Sequence, residues 1–248
     1  AMTKGMYEVL SNKRIAQDTY EMELSGDTSS LERPGQFINI KIEGLYLRRP
    51  ISVCHSENGR LTIIYKVVGK GTGIMSKMEK GRMLDILCGL GNGFDISKGK
   101  GRRCAVIGGG VGVPPMYDMA KSLIEQGNEV TAILGFATKD AAFYIGEFEK
   151  LGVKTIVTTD DGSLGIKGFV TDGLKTTDCD YYFACGPEPM LKSLHRTGIS
   201  GQLSFEERMG CGFGVCMGCT CETLVGYKRI CKDGPVFESS EVTFDVKA

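Results

Sequence analysis

The sequence predicts a mixed architecture, α/β plus all-β: an antiparallel β-barrel, then a doubly wound parallel sheet, then a small cysteine-rich domain. Three observations point to it. Up to about Lys98, short alternating apolar runs are broken by turn residues, as antiparallel strands require. After Gly99-Lys-Gly101 the rhythm becomes strand, glycine turn, helix, which is how parallel βαβ units read. From Glu206 onward helical periodicity vanishes while glycine and cysteine content rises. The expected segments are 1–99, 100–206 and 207–248.

In the first segment the strand candidates are Phe37–Ile42, Ile51–Val53, Leu61–Val68 and Met83–Leu87. Pro34-Gly35, Asn58-Gly59 and Lys80-Gly81 are expected to turn hairpins between them, and Gly73 to Lys80 is the one helical turn. In the second, Cys104–Ile107 leads into Gly108-Gly-Gly110 and a helix from Pro114 to Glu125 with apolar residues at helical spacing. Val130–Leu134, a helix near Ala141–Leu151, Lys154–Val157, Tyr181–Ala184 and a helix from Pro187 to about His195 continue the alternation, and Gly201–Phe205 supplies a last strand. The third segment is too short to build a hydrophobic core, so a bound metal is expected to substitute for one.

Composition narrows the function. With 42% hydrophobic and 24% charged residues, the chain reads as globular, and no apolar run nears the ~18 residues of a membrane span. Thirty Lys+Arg against thirty Asp+Glu leave a formal charge of +0, so no global field recruits nucleic acid or an anionic bilayer. Ala1 to Met6 lacks the charged-then-apolar layout of a signal peptide, which gives the expectation of a cytoplasmic protein. In that reducing compartment ten cysteines are poor disulfide candidates, and a tight cluster of them holds a metal or does redox work.

The cluster is Cys211-x4-Cys216-x2-Cys219, followed by eleven residues and Cys231. That spacing fits the plant-type ligand pattern of a 2Fe-2S centre. Thiolates are soft ligands for iron and sulfide, and three from one loop require the backbone to wrap round the cluster. Gly210, Gly212, Gly214 and Gly218 allow the wrapping and leave amides free to point at sulfur. Structural zinc is the competing reading, although it usually takes paired C-x2-C knuckles farther apart. Cys211, Cys216, Cys219 and Cys231 are the expected ligands, and Cys221 a spectator. Cys54, Cys88, Cys104 and Cys179 read as small buried hydrophobes, and His55 and His195 as surface or packing residues.

A 2Fe-2S centre takes one electron at a time, whereas a nicotinamide gives a hydride carrying two, so a flavin is needed between them. Ile107-Gly-Gly-Gly-Val-Gly112 follows a strand and opens a helix, where glycines allow close approach to a pyrophosphate; a tight strand-to-helix turn would look the same. Cys185-Gly-Pro-Glu-Pro-Met190 also stands at a strand end, where ligands of doubly wound sheets bind. In the barrel half, Leu47-Arg-Arg-Pro-Ile-Ser52 offers guanidinium groups for phosphate and a hydroxyl, and Val68-Gly-Lys-Gly-Thr-Gly73 opens the helical turn. Either could equally be a surface basic pair and a plain loop.

Taken in order, Arg49-Pro-Ile-Ser52, Ile64-Tyr-Lys66, Gly71-Thr72, Gly91-Asn-Gly-Phe94, Gly108-Gly-Gly-Val-Gly112, Asp161-Gly-Ser163, Cys185-Gly-Pro187, the cysteine loop and Lys232-Asp-Gly-Pro-Val-Phe237 span nearly the whole chain. The set resembles the ferredoxin–NADP reductase superfamily, and within it the electron transfer subunits of dihydroorotate dehydrogenase B. The resemblance implies FAD in the barrel, with Arg49 and the Gly71-Thr72 helix start on its pyrophosphate. Ser52, after Pro50 and Ile51, would lie near the isoalloxazine, and Ile64, Tyr65 and Lys66 would lend backbone contacts. It implies NAD(H) at Gly108, Gly109, Gly110 and Gly112 and at Cys185, Gly186 and Pro187. It further implies an FMN-containing catalytic subunit as partner, two copies of each in a heterotetramer, with electrons passing between NADH, FAD, cluster, FMN and orotate. No side-chain acid or base is required for the hydride step. Related subunits serve ferredoxin, hydrogenase or sulfite reductase on the same scaffold, and these are the alternative acceptors. Cys88-Gly-Leu-Gly-Asn-Gly-Phe94 departs from the family, which usually has Gly-Pro before the leucine. Gly135-Phe-Ala-Thr-Lys-Asp140 shows no arginine for a 2′-phosphate, which leans toward NADH.

Overall fold

A computed structural model describes residues 1–244. Strands β1 (Thr3–Ala16), β2 (Thr19–Ser25), β3 (Phe37–Ile40), β4 (Arg49–Glu57), β5 (Arg60–Lys66) and β6 (Met83–Leu90) close into a barrel in the order β1-β2-β5-β4-β3-β6. Side chains alternate across each strand, so every second residue enters the barrel: Tyr7, Val9, Met22, Leu24, Ile38, Ile40, Ile63 and Tyr65 fill it, all nearly inaccessible to water. Of the three expected hairpin turns, Asn58-Gly59 alone joins paired neighbours, β4 and β5. Pro34-Gly35 instead leads into β3, whose neighbours are β4 and β6, and Lys80-Gly81 follows a helix. That helix, α1 (Lys70–Met75), starts earlier than the sequence suggests. Thr72 explains the shift, because its hydroxyl accepts from the amides of Val68 and Gly69 and so begins the turn at Gly69.

Beyond the Gly99–Gly101 turn come β7 (Cys104–Gly109), α2 (Val113–Glu125), β8 (Val130–Phe136), α3 (Ile145–Lys150), β9 (Lys154–Thr159), β10 (Ile166–Lys167), α4 (Val170–Leu174), β11 (Tyr181–Cys185), α5 (Glu188–His195) and β12 (Gly201–Ser204). The parallel strands read as continuous apolar runs because helices cover both faces. Val106, Met116, Leu123 and Phe183 lie in the core on one side, and Ile107, Leu174, Leu191 and Leu194 in that on the other.

The remaining strands are short: β13 (Thr220–Thr223) and β14 (Gly226–Arg229) form a hairpin, while β15 (Val236–Glu238) joins the parallel sheet as its antiparallel edge beside β12. The cysteine-rich segment therefore borrows a core. Cys219, Ile230, Cys231 and Phe237 pack in the same buried cluster as Phe37 and Leu90 of the barrel and Leu203 of the sheet.

Candidate cofactor-binding sites

Arg48 and Arg49 part company in the structure. Arg48 is bound to the Asp85 carboxylate at 2.8 Å and donates to the carbonyls of Asp85 and Asn39. Burial alone would raise the Asp85 carboxyl, but the neighbouring Arg48 and Lys4 hold it below its usual range. Arg49 donates to the Leu47 carbonyl at 2.6 Å and lays its guanidinium over the first turn of α1, where a Cβ on Gly71 would lie 2.2 Å from its Nε. The first turn of α1 and one planar cation thus face the same space, an arrangement suited to phosphate oxygens. Pro50, Ile51 and Ser52 follow on β4, half-buried. On β5 the Tyr65 ring points into the barrel, its hydroxyl bound to Asn12 Oδ1 at 2.8 Å, which leaves backbone as what Ile64 and Tyr65 can offer a ligand.

The end of β5 packs against the Gly110–Gly112 turn, and there the barrel meets the parallel sheet. A cleft of about 410 Å³ opens at this junction, lined by Gln17, Thr19 and Lys66 from the barrel and by Gly109, Gly110, Val111, Phe136, Asp160, Pro187 and Met190 from the sheet. It lies beyond the carboxyl ends of the parallel strands, where doubly wound sheets bind ligands. The glycines are dictated by packing as much as by any ligand. A Cβ on Gly112 would sit 2.1 Å from the Cys185 carbonyl oxygen, and one on Gly108 2.6 Å from the Val113 Cα. Gly108–Gly112 and Cys185–Pro187 are therefore one interlocked unit. Burial pushes the Cys185 thiol up to about 12, so it is neutral at physiological pH.

In the cysteine loop, backbone amides point at sulfur. The Val215 amide donates to Cys211 Sγ at 3.2 Å, the Cys211 amide to Cys216 Sγ at 3.4 Å, and the Cys231 amide to Cys219 Sγ at 3.4 Å. Burial works to raise the Cys211 thiol, but the backbone amides of Cys216, Phe213 and Val215 directed at it outweigh that and bring it down to about 6. Cys231 is pushed up to about 12, first by burial and then by sharing its surroundings with Cys219. The four thiols thus form two pairs, Cys211 with Cys216 and Cys219 with Cys231. A two-iron cluster asks for two thiolates at each of two metals, which paired thiols suit better than the single tetrahedral point zinc requires. Cys221 lies on β13 opposite Lys228, half-buried, apart from these amide–sulfur contacts.

A family model described as the iron-sulfur cluster binding domain of dihydroorotate dehydrogenase B matches residues 206–243, and one described as an oxidoreductase NAD-binding domain matches residues 106–196. The dihydroorotate dehydrogenase B (NAD(+)) electron transfer subunit of Geobacillus sp. (strain WCH70) is 43% identical over 97% of this chain and 99% of its own length. That of Fusobacterium nucleatum is 44% identical over 96% and 97%. The chain belongs to this family of electron transfer subunits. Among solved structures, an NADH-dependent reduced ferredoxin-NADP oxidoreductase superposes with a TM-score of 0.86 at 31% identity, over 97% of this chain and 91% of that one. A ferredoxin reductase of carbazole 1,9a-dioxygenase shares the fold at a TM-score of 0.67 and 22% identity, over 79% of this chain and 65% of that one.

Within this family frame, sequence reasoning missed one anchoring residue. Asn92, in the Gly91-Asn-Gly-Phe94 stretch, donates from Nδ2 to the Val236 carbonyl at 2.8 Å and the Asp233 carbonyl at 3.2 Å. Its Oδ1 accepts from the Val236 amide at 3.1 Å, and its own amide donates to the Gly234 carbonyl at 2.8 Å. It ties the end of the barrel to the backbone just after Cys231. Its flanking glycines gave the only signal, since Gly91 and Gly93 both adopt positive φ to present it. Asp161-Gly-Ser163, by contrast, is a local turn in which Asp161 Oδ1 accepts from both the amide and the hydroxyl of Ser163, whose hydroxyl in turn accepts from the Lys139 amide at 2.8 Å.

Proposed function

We propose that the chain is an oxidoreductase subunit carrying electrons between NAD(H), FAD and a 2Fe-2S cluster, to or from an FMN-containing dihydroorotate dehydrogenase catalytic subunit in pyrimidine biosynthesis. The observation that carries this reading is the junction itself: one cleft built jointly by barrel and parallel sheet, with a cysteine loop packed on the same barrel. A bound FAD would supply the conversion between the two-electron chemistry of NADH and the one-electron chemistry of the cluster. The chain's own residues hold these groups in register.

In the proposed assignment Arg49 and the Gly71-Thr72 turn receive the FAD pyrophosphate. Pro50 and Ser52 line its ring, Ile51 between them offers backbone while its side chain packs on the barrel core, and the backbone of Ile64, Tyr65 and Lys66 borders it. NAD(H) takes the glycine turn at Gly108, Gly109, Gly110 and Gly112 together with Cys185, Gly186 and Pro187. Cys211, Cys216, Cys219 and Cys231 bind the irons. Asp160, exposed at the cleft edge, supports NADH over NADPH because a carboxylate repels a 2′-phosphate. Phe213, Val215, Met217, Leu224, Val225 and Tyr227 leave an exposed apolar surface on the cysteine loop and its hairpin, and the catalytic subunit is proposed to cover it, two copies of each chain assembling together. No helix among the described residues is long and apolar enough to cross a membrane, and a cytoplasmic site fits reduced thiols.

Reconstitution tests the reading. Anaerobically purified chain should carry flavin and iron, and NADH should drive orotate reduction only after the FMN-bearing catalytic subunit is added. Reduction of ferredoxin, hydrogenase or sulfite reductase in place of orotate would assign it another acceptor. Colourless, zinc-bearing protein would replace the reading altogether.

A further inference from the structure

Between the barrel and the cysteine loop lies one almost fully buried polar side chain that nothing above uses. Asn39, on β3, is 1% exposed. Its neighbours Ile38 and Ile40 point into the barrel, so by alternation Asn39 and Phe37 point outward, under the cysteine segment. Asn39 Nδ2 donates to the Cys211 carbonyl at 3.2 Å. That carbonyl fixes the amide's orientation, since the flipped rotamer would set two acceptors against each other. Gly212 follows at φ 82°, and a Cβ there would lie 2.4 Å from Asn39 Nδ2. The glycine lets the loop settle onto the asparagine.

The same strand faces the flavin side. In the β3–β4 ladder Asn39 stands opposite Pro50, and Phe37 opposite Ser52. Opposed residues of an antiparallel pair project to the same face. Pro50 and Ser52, proposed to line the flavin ring, therefore share with Asn39 the face on which the Cys211 loop rests. Asn39 Oδ1 is buried with no hydrogen-bond partner among the described residues, an uncommon state for a native carboxamide.

We propose that Asn39 is a positioning residue for electron transfer, its Nδ2 registering the Cys211 loop, and with it the cluster, on the strand pair that borders the flavin. The proposal rests on the functional reading above and deepens it. A leucine of similar volume would keep the packing and lose the donor. An aspartate would keep the shape, lose the donor and add negative charge beside the cluster, disfavouring its reduced form.

The test uses the full-length holoprotein, prepared anaerobically as wild type, Asn39→Leu and Asn39→Asp. Three signals are followed: iron release to a chelator, the electron paramagnetic resonance and midpoint potential of the reduced cluster, and stopped-flow flavin and cluster reduction by NADH. Both variants should lose iron about 10–100-fold faster, as displaced outer-shell partners do. Both should alter the resonance spectrum and slow flavin-to-cluster transfer while flavin reduction persists, and the potential should be lower in Asn39→Asp than in Asn39→Leu. Wild-type iron retention, spectrum and transfer in both would overturn the inference. If both variants fail to fold, Gly212→Ala decides: it keeps Asn39 but adds the methyl group that collides with it, so the cluster-specific defects should reappear, and normal behaviour there refutes the proposal. Wild-type protein lacking flavin and iron would instead sink the functional reading itself.

Discussion

The parallel sheet and the cysteine-rich segment show two ways of making a chain adopt one shape. In the sheet, order comes from burial: Val106, Ile107, Leu134 and Phe183 are completely inaccessible, and helices seal both faces. In the segment after Glu206, Phe213, Val215, Met217, Leu224, Val225 and Tyr227 remain exposed, and the buried residues Cys219, Ile230 and Cys231 pack on borrowed surface. Apolar burial therefore cannot account for the loop's conformation. The loop is held by amide–sulfur contacts, by two barrel asparagines and, when loaded, by metal–thiolate bonds.

The sharpest way to break the comparison is to remove the metal. Cys211→Ser, or prolonged chelation, should abolish the visible absorbance of the cluster while flavin reduction by NADH continues. Limited proteolysis should then cut within 206–235 and spare the barrel and sheet. Equal loss of flavin and cluster signals would mean that the two regions stand or fall together. Gly112→Ala probes the other side. Its methyl group would meet the Cys185 carbonyl oxygen at 2.1 Å, and backbone cannot step aside as a flexible side chain can. A destabilisation of about 1–3 kcal/mol is expected from such overpacking, with weakened NADH binding and an intact cluster spectrum. Thermal unfolding and NADH titration measure both.

How much of this could be read beforehand depended on the range of the interactions. The cysteine spacing was legible because the loop is local: Cys211 and Cys216 exchange contacts across five residues. The helix from Pro114 was legible because its apolar stripe repeats, and the structure starts it at Val113. By contrast β1 went unread, since register shifts between Val9 and Ser11 and between Arg14 and Ala16 break the alternation that marks a strand. The order β1-β2-β5-β4-β3-β6 was equally hidden, because Pro34-Gly35 looks like a hairpin turn whichever strand its chain pairs with next. At the site, Arg48 and Arg49 are indistinguishable as letters; only the fold gives Asp85 to one and α1 to the other. Asn92 reaches a segment more than a hundred residues away, beyond any local pattern.

Asn92→Ala sharpens the contrast at an intermediate scale. It removes three side-chain hydrogen bonds to residues 233–236 but leaves the barrel core untouched. At about 0.5–1.5 kcal/mol for each bond, and with part of the site open to water, a loss of about 2 kcal/mol is expected. Hydrogen exchange should rise first at the amides of Val236 and Phe237, which the anchor and β12 protect. Uniform loss of protection through the parallel sheet would show that β15 is integral to the sheet's stability and not an attached edge.

The smallest effect belongs to the contact between barrel and sheet. His55 on β4 bonds Asp118 on α2 at 2.8 Å, with Glu57 at 3.5 Å from its other nitrogen, Lys121 3.8 Å from Glu57, and Tyr117 edge-on to the ring. Both histidines therefore pack, His55 against Tyr117 and His195 against the Phe244 ring. The bond to Asp118 raises the His55 pKa above the ordinary imidazole value, overcoming burial, which acts the other way. A pKa raised by folding stabilises the charged form in the folded state. The contribution is therefore fully present below about pH 6.5 and is lost as pH rises through the elevated value. Being partly open to water, the pair should contribute under about 1 kcal/mol. Thermal unfolding of wild type and Asp118→Asn should differ most in mildly acidic buffer and converge in mildly alkaline buffer. A gap that widened with pH would mean that Asp118 acts through a partner other than the imidazolium.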